Sequence, residues 1–273
     1  MKVLVTGARG MLGQDLCPIL EDEGFDVIET DIHNMDFTNA QEVEKVIKEN
    51  SPDCVIHLGA YTNVDKAEEE PEIAYKINYE GTKNIAKICK ELGITLLYIS
   101  TDYVFDGTKE GKYFPDDKTN PVSVYGKSKL QGEKEVQKCD KYYITRTSWL
   151  YGHHGKNFVE TMISLADKPE IKVVDDQKGC PTWTVELAGG IVKILTEEMP
   201  YGIYHVCGSG ETTWYGFAKE IFNLCGLNVN LHPCKTSEFP RPAKRPANSV
   251  MENNKICRNW KTALKEYIDL RCE

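Results

Sequence analysis

The sequence has no apolar run long enough to cross a membrane. The few apolar residues at its start pass directly into Gly-Ala-Arg-Gly, so the apolar stretch of a signal peptide is missing too. Internal repeats and low-complexity segments are also absent. These absences predict a globular cytoplasmic protein that does not act at a membrane.

The ten cysteines form no Cys-x-x-Cys pair, so the spacing typical of zinc and dithiol redox sites is missing. Several, including Cys54 and Cys207, stand inside apolar runs. We therefore expect reduced thiols that pack as small hydrophobic side chains in a cytosolic protein. His153 and His154 are adjacent but have no carboxylates at ligand spacing, and we predict no metal site.

Positive charge is scarce. A total of 33 Lys and Arg against 42 Asp and Glu gives a net charge of -9, so the chain lacks the overall field that attracts nucleic acid. An anionic ligand would need a local basic cluster instead. Residues 239–246, Phe-Pro-Arg-Pro-Ala-Lys-Arg-Pro, form such a cluster. The segment is a candidate diphosphate site, and a solvated surface loop is the alternative.

A strand, a glycine-rich loop and a helix follow one another at the N-terminus. Residues 2–6 are apolar and β-branched, and apolar side chains recur at helical spacing over residues 12–20. In this context Gly7 permits a tight turn, Gly10 lets the backbone approach a pyrophosphate, and Gly13 lets helix and strand pack closely. The loop therefore predicts dinucleotide binding, although its G-x-x-G-x-x-G spacing differs from the common G-x-G-x-x-G.

Asp31 ends the second predicted strand, residues 25–30, roughly twenty residues beyond the glycine loop. A carboxylate at this place accepts hydrogen bonds from a ribose 2′-hydroxyl and repels a 2′-phosphate. Asp31 thus favours NADH over NADPH. An ordinary loop aspartate is the alternative.

Strands and helices alternate through the first half of the chain. The predicted strands are residues 2–6, 25–30, 53–58, 94–99 and 142–147. A long helix is predicted over 71–92, with Ile73 and Ile77 facing inward. The alternation predicts an α/β fold with a doubly wound parallel sheet and right-handed crossovers. Because ligands bind at the carboxyl ends of such strands, the loop at 59–62 should touch a cofactor.

Tyr125 and Lys129 are four residues apart on a predicted helix, so their side chains share one face. A nearby ammonium favours phenolate, which makes the phenol a better proton donor for a carbonyl oxygen. Ser100-Thr101-Asp102 closes an apolar strand, where the Thr101 hydroxyl could align a substrate carbonyl with Tyr125. Chance pairing on a surface helix, and an ordinary turn cap at Thr101, are the alternatives.

These motifs together resemble the extended short-chain dehydrogenase/reductases. The segments that narrow the resemblance to the dTDP-4-dehydrorhamnose reductase family are residues 101–107, Arg146-Thr147-Ser148-Trp149, Gln177-x-Gly179-x-Pro181-Thr182 and Arg245-Pro246-x-x-Ser249. The resemblance spans essentially the whole chain. It implies a Rossmann-type dinucleotide-binding domain over 1–147, to which elements near 171–196 return, and a smaller C-terminal domain over 148–273 that mainly binds substrate. It also implies NAD(P)H-dependent reduction of the C4 keto group of dTDP-4-dehydro-L-rhamnose, for cell-surface polysaccharide.

Carried over residue by residue, the resemblance implies three sets of site residues. Catalysis falls to Thr101, Tyr125 and Lys129, with Tyr125 as proton donor. The implied cofactor contacts are Gly7, Gly10, Met11, Leu12, Gly13, Asp31, Asp36, Phe37, Ala60, Tyr61, Thr62, Tyr125 and Lys129. The implied substrate contacts are Thr101, Asp102, Tyr125 and Trp149.

Some relatives are magnesium-linked dimers held through acidic side chains, and Asp15 stands where a glutamate is expected. We predict no metal, a monomer or homodimer, and a dTDP-sugar as partner. Two other functions stay open. One is a related nucleotide-sugar epimerase or reductase that shares the Tyr-Lys pair. The other is a non-catalytic dinucleotide-binding regulatory subunit of the methionine adenosyltransferase type.

Overall fold

The computed structural model describes residues 1–253 and 255–271. Within these residues the strands are β1 (Lys2–Thr6), β2 (Asp26–Thr30), β3 (Cys54–His57), β4 (Thr95–Thr101), β5 (Tyr142–Thr147), β6 (Leu150–Tyr151), β7 (Ile171–Val174), β8 (Lys178–Gly179), β9 (Thr182–Trp183), β10 (Gly202–His205), β11 (Thr212–Thr213) and β12 (Leu231–Cys234). The α-helices are α1 (Met11–Asp22), α2 (Ala40–Asn50), α3 (Val64–Glu69), α4 (Pro71–Tyr75), α5 (Thr82–Leu92), α6 (Val124–Val136), α7 (Phe158–Ser164), α8 (Thr184–Thr196), α9 (Trp214–Leu224) and α10 (Trp260–Arg271).

A six-stranded parallel sheet organises the molecule, in the order β10-β5-β4-β3-β1-β2. The order reverses at β1, which has β2 on one side and β3 on the other, and a ligand crevice forms at such a point. Thr6 pairs with both Thr30 and His57, and Thr101 pairs with Thr147. The strands therefore end at one common edge, and the loops that follow them meet there.

Helices cover both faces of the sheet, as predicted for a doubly wound fold. On one face Leu16 of α1 packs with Leu187 and Ile191 of α8. On the other face α2, α5 and α6 contribute Val43, Ile85 and Val136. The apolar periodicity of α2 and α5 directs one side of each helix onto the sheet.

A third apolar cluster lies among the later elements. Tyr151, Trp183, Phe217, Trp260 and Tyr267 bring together α9, α10 and the short strands β6 and β9. β7 pairs with β12 in a separate two-stranded sheet, whereas β10 joins the central sheet. The division of the chain at residue 147 stays a prediction.

The helical stretch from Pro71 to Leu92 is not one regular helix. A π-helical segment, Lys76–Gly81, separates α4 from α5, and Ile73, predicted to face inward, is 44% exposed. The wider π turn rotates the residues before it relative to the 3.6-residue stripe on which the prediction rested. None of the helices described by the structure is long and apolar enough to span a membrane.

Candidate active site

A cavity of about 830 Å³ opens at the common edge of the sheet, between the glycine loop and two tryptophans. The sequence-predicted site residues that line it are Gly7, Gly10, Met11, Leu12, Gly13, Asp31, Asp36, Phe37, Ala60, Thr62, Thr101, Asp102, Tyr125, Lys129 and Trp149. Tyr61 is the exception among the predicted residues. Its hydroxyl donates to Glu70 Oε2 (3.1 Å) and its N–H donates to Asn78 Oδ1 (2.8 Å).

The glycines of the N-terminal loop are required by close backbone contacts. Gly7 has a φ of 67°, and a Cβ there would lie 3.0 Å from the nitrogen of Gly59. A Cβ on Gly13 would lie 2.4 Å from the carbonyl oxygen of Ala8. The loop therefore folds back tightly and brings the start of α1 to the cavity wall.

The wall has donors that suit a dinucleotide. Gly10 is the N-cap of α1, and no side chain of the described residues caps this helix, so the first N–H groups of the helix and its positive dipole end remain available to a pyrophosphate. Deeper in the cavity, the buried hydroxyl of Thr147 has no hydrogen-bond partner among the described residues. Both features fit a bound dinucleotide and a polar ligand beside it.

Asp31 directly follows β2, beside the glycine loop. Its carboxylate accepts hydrogen bonds from the N–H of Arg9 (3.2 Å) and the N–H of Ile32 (2.8 Å). These contacts fix the carboxylate at the cavity wall while leaving lone pairs for a ribose hydroxyl.

Tyr125 and Lys129 lie on α6, close to its start. The Ser123 side chain caps the helix by accepting from the N–H of Gly126 (3.1 Å), and a Cβ on Gly126 would lie 2.2 Å from Tyr103 O. Gly126 thus lets the helix approach the end of β4. Lys129 is 3% exposed, and its ammonium lies 4.1 Å from the centre of the Tyr98 ring.

The pKa values of Tyr125 and Lys129 differ from the prediction that the ammonium makes the phenol easier to ionise. Burial lowers the pKa of Lys129 to about 7, against a smaller opposing effect of Glu133. Burial raises the pKa of Tyr125 to about 12, while hydrogen bonding to Thr101 lowers it. Without ligand, desolvation therefore outweighs any help from Lys129, because removing a phenolate from water costs more than this ammonium returns.

Thr101 and Asp102 form a small polar unit at the end of β4. The Thr101 hydroxyl donates to Asp102 Oδ1 (3.0 Å) and accepts from the N–H of Tyr103 (3.2 Å). Burial raises the pKa of Asp102 to about 6, and the nearby hydroxyl groups of Ser249 and Thr101 oppose that rise. Thr101 therefore links the Tyr125 phenol to a buried carboxyl group.

Sequence reasoning missed two prominent lining residues, Trp214 and Lys156. Trp214 begins α9 and stacks on Trp149. Its only sequence signal was its position just after the Thr212-Thr213 cap. Lys156 stands in the polar loop after β6, where its neighbours gave no reason to single it out.

The basic segment at 239–246 is not a free cationic cluster. Arg245 makes a two-pronged ion pair with Asp65 of α3 (2.9 Å to each oxygen), and Arg241 lies 3.8 Å from the same carboxylate. Among the residues that the structure places along the cavity, Lys129 and Lys156 are present but neither arginine is. Asp65, far away in the sequence, offsets one of the three positive charges of the segment, and the diphosphate interpretation stays a prediction.

Asp15 does not stand free either. It accepts a hydrogen bond from the Thr184 hydroxyl and lies 3.4 Å from His154 Nε2. Over residues 1–253 and 255–271, no three His, Cys, Asp or Glu side chains converge to hold a metal ion.

The comparisons with known proteins agree over the full length. A family model for the RmlD substrate binding domain matches residues 1–271. A dTDP-4-dehydrorhamnose reductase of Streptomyces griseus is 40% identical over 284 residues, covering 98% of this chain and 93% of the relative. The chain belongs to the dTDP-4-dehydrorhamnose reductase family.

Solved structures of this family superpose closely. The dTDP-4-dehydrorhamnose reductase crystal structure from Clostridium acetobutylicum is 48% identical with a TM-score of 0.97, and all of both chains is covered. The one from Bacillus anthracis, in complex with NADP, is 40% identical with a TM-score of 0.95 and covers 98% of this chain and 99% of its own. The predicted family and fold class are confirmed, while the roles of individual residues stay predictions.

Proposed function

We propose that this chain reduces the C4 keto group of dTDP-4-dehydro-L-rhamnose to give dTDP-L-rhamnose. The observation that carries the proposal is the meeting of Tyr125 and Thr101, from α6 and β4, at the wall of a cavity that begins at a dinucleotide-binding loop. The dTDP-4-dehydrorhamnose reductases of similar sequence support the choice of substrate.

The glycine loop and the start of α1 hold the pyrophosphate of a nicotinamide dinucleotide, and Asp31 holds its adenosine ribose. Lys129 donates to the nicotinamide ribose. The reduced nicotinamide, when bound, supplies the hydride for the sugar C4.

Tyr125 supplies the proton. Because burial raises the pKa of its phenol to about 12, Tyr125 stays protonated at neutral pH and can donate to the ketone oxygen as that oxygen gains charge. The Thr101 hydroxyl, which donates to Asp102 Oδ1 in the ligand-free chain, turns to the ketone oxygen and orients it. The phenolate left behind lies one helical turn from the Lys129 ammonium, which stabilises it. One hydride and one proton thus convert the carbonyl to an alcohol.

The test follows the loss of NADH absorbance on addition of dTDP-4-dehydro-L-rhamnose. General acid catalysis contributes roughly 10²–10⁴-fold, so Tyr125→Phe should lower kcat by at least 10²-fold while NADH still binds. Tyr201→Phe, at a half-exposed tyrosine that does not line the cavity, serves as the matched control and should keep its full rate. Near-normal turnover by Tyr125→Phe would contradict the role of Tyr125.

A wild-type chain that binds NADH but turns over no sugar nucleotide would instead favour the regulatory-subunit alternative. Copurification of a stable partner enzyme would strengthen that outcome. Turnover of a different ketosugar nucleotide would keep the chemistry and change the substrate.

We further propose NADH as the preferred cofactor, from the position of Asp31, and the cytoplasm as the place of action. The eight buried cysteines of the described residues are free thiols, which suits a reducing compartment. A monomer or homodimer stays the predicted assembly.

A further inference from the structure

Two indole rings stack face to face at the cavity. The centres of the Trp149 and Trp214 rings are 3.6 Å apart and the rings are 6° from parallel. Both rings line the cavity and are partly exposed. Trp183 and Trp260 differ, because they are 2% and 4% exposed and pack in the apolar cluster around α9 and α10. The stacked pair packs against the edge of this cluster and, unlike Trp183 and Trp260, also faces the cavity.

Trp149 is held in an unfavourable backbone conformation. Its φ is 47°, in the left-handed region that few non-glycine residues adopt. Such strain persists only where the surroundings enforce it, and it clusters at ligand sites. A Cβ on Gly179 would lie 2.3 Å from the Trp149 indole, so a glycine at 179 is what makes room for the ring.

Trp214 is anchored from the opposite side. Its Nε1 donates to Gln177 Oε1 (3.2 Å), and Gln177 Nε2 donates to the hydroxyl of Thr236 (3.0 Å). Gln177 and Gly179 belong to one motif, Gln177-x-Gly179-x-Pro181-Thr182, for which the reaction itself gives no role. In the structure Gln177 orients the indole of Trp214, and Gly179 leaves room for the indole of Trp149.

We propose that Trp214 is a positioning residue for substrate: by stacking on Trp149 it holds that indole as a fixed platform for an apolar ring face of the sugar nucleotide. This inference rests on the proposed function and on the substrate contact that the family resemblance implies for Trp149. The ring face is either that of the nucleobase or the C–H face of the deoxysugar, since both pack well on an indole.

The test compares Trp214→Leu, which removes the stack, with Trp214→Phe, which keeps an aromatic face. Affinities for dTDP, dTDP-L-rhamnose and NADH are measured by titration calorimetry. Trp214→Leu should lower the affinity for dTDP-L-rhamnose about tenfold, as expected for one lost aromatic pair. In Trp214→Phe, which keeps an aromatic face, the affinity for dTDP-L-rhamnose should fall less than about threefold. The affinity for NADH should not change in either variant. If Trp214→Leu lowers the affinity for dTDP as much as that for dTDP-L-rhamnose, the platform contacts the base. If only the affinity for dTDP-L-rhamnose falls, the platform contacts the sugar.

Trp260→Phe is the matched control, because it alters a tryptophan of the same apolar cluster that does not line the cavity. In turnover, Trp214→Leu should raise KM for the sugar nucleotide about tenfold and leave kcat within about threefold, since the platform acts on binding. A general structural defect would lower kcat and NADH affinity as well.

A circular dichroism couplet from the stacked indoles gives a second readout. It should vanish in Trp214→Leu and in Trp149→Leu, persist in Trp260→Phe, and survive saturation of the wild type with dTDP-L-rhamnose. Unchanged ligand affinity in Trp214→Leu, or loss of the couplet when ligand binds, would overturn the inference even if the wild type is an active reductase. Absence of turnover in the wild type would instead overturn the proposed function.

Discussion

The Lys129 ammonium lies 4.1 Å from the centre of the Tyr98 ring and makes no ion pair within the residues that the structure describes. Tyr98 is fully buried in β4, and its ring stacks on His57 with centres 5.6 Å apart. Lys129 is thus held by the negative face of an aromatic ring, where a carboxylate would hold it more strongly. This explains how burial can bring the pKa of Lys129 down to about 7.

The first prediction concerns pH. Because the pKa of Lys129 in the ligand-free chain is about 7, kcat/KM for NADH should fall as the pH rises through 7 and the ammonium loses its proton. Lys129→Arg should lack this fall, since a guanidinium stays charged. Steady-state kinetics between pH 6 and pH 9 would decide it, and the same fall in Lys129→Arg would assign the titration to another group.

The shift also has a consequence for stability. The unfolded chain keeps the ordinary lysine pKa of 10.5, so between about 7 and 10.5 it binds more protons than the folded chain, and the folded chain gains stability as the pH rises. Lys129→Met should lose that dependence. Urea unfolding of both proteins at pH 7 and pH 9.5 measures the difference.

The second prediction separates two effects of Tyr98, its cation–π contact with Lys129 and its packing in the core. Cation–π contacts are worth about 0.5–2 kcal/mol, so Tyr98→Leu should move the pH at which kcat/KM falls downward by up to about 1.5 units. Tyr98→Phe keeps the aromatic face and should keep the wild-type value. Melting temperatures of both variants control for lost packing. If both variants titrate like the wild type, Lys129 does not depend on the ring.

The third prediction concerns Asp31. A hydrogen bond to a charged group contributes about 1.5–3 kcal/mol, so Asp31→Ala should raise KM for NADH about tenfold or more. It should also lower the NADH/NADPH preference, because the repulsion of a 2′-phosphate is gone. Asp26→Ala, at the exposed start of β2, is the matched control. An unchanged ratio of kcat/KM values would show that Asp31 does not discriminate between the cofactors.

Much of the fold could be predicted because its signals are local. The alternation of strands and helices, and the Gly7, Gly10 and Gly13 spacing after a strand, depend only on nearby residues, and they determined the parallel sheet and its ligand edge. Tyr125 and Lys129 were found for the same reason, since a four-residue spacing on a helix fixes their common face.

The exposure of Ile73 came from a local π turn, but other misses involve partners far away in the sequence. Asp65 neutralises Arg245 from 180 residues away, and Trp214 reaches Trp149 only through the packing of the later elements. The raised pKa of Tyr125 depends on desolvation, which is a property of the folded cavity. Neither these long-range contacts nor the burial of Tyr125 can be read from the spacing of residues along the chain.

The fourth prediction compares two helical glycines. A Cβ on Gly13 would lie 2.4 Å from Ala8 O, whereas a Cβ on Gly189 in α8 would meet no atom within 4 Å among the described residues. Gly13→Ala should therefore force α1 away from the loop, cost about 1–3 kcal/mol of unfolding free energy and weaken NADH binding. Gly189→Ala should stabilise the protein by up to about 1 kcal/mol, because alanine loses less backbone entropy in a helix. Urea unfolding and NADH titration of the two variants measure both effects, and a Gly13→Ala protein as stable as Gly189→Ala would contradict the close contact at the start of α1.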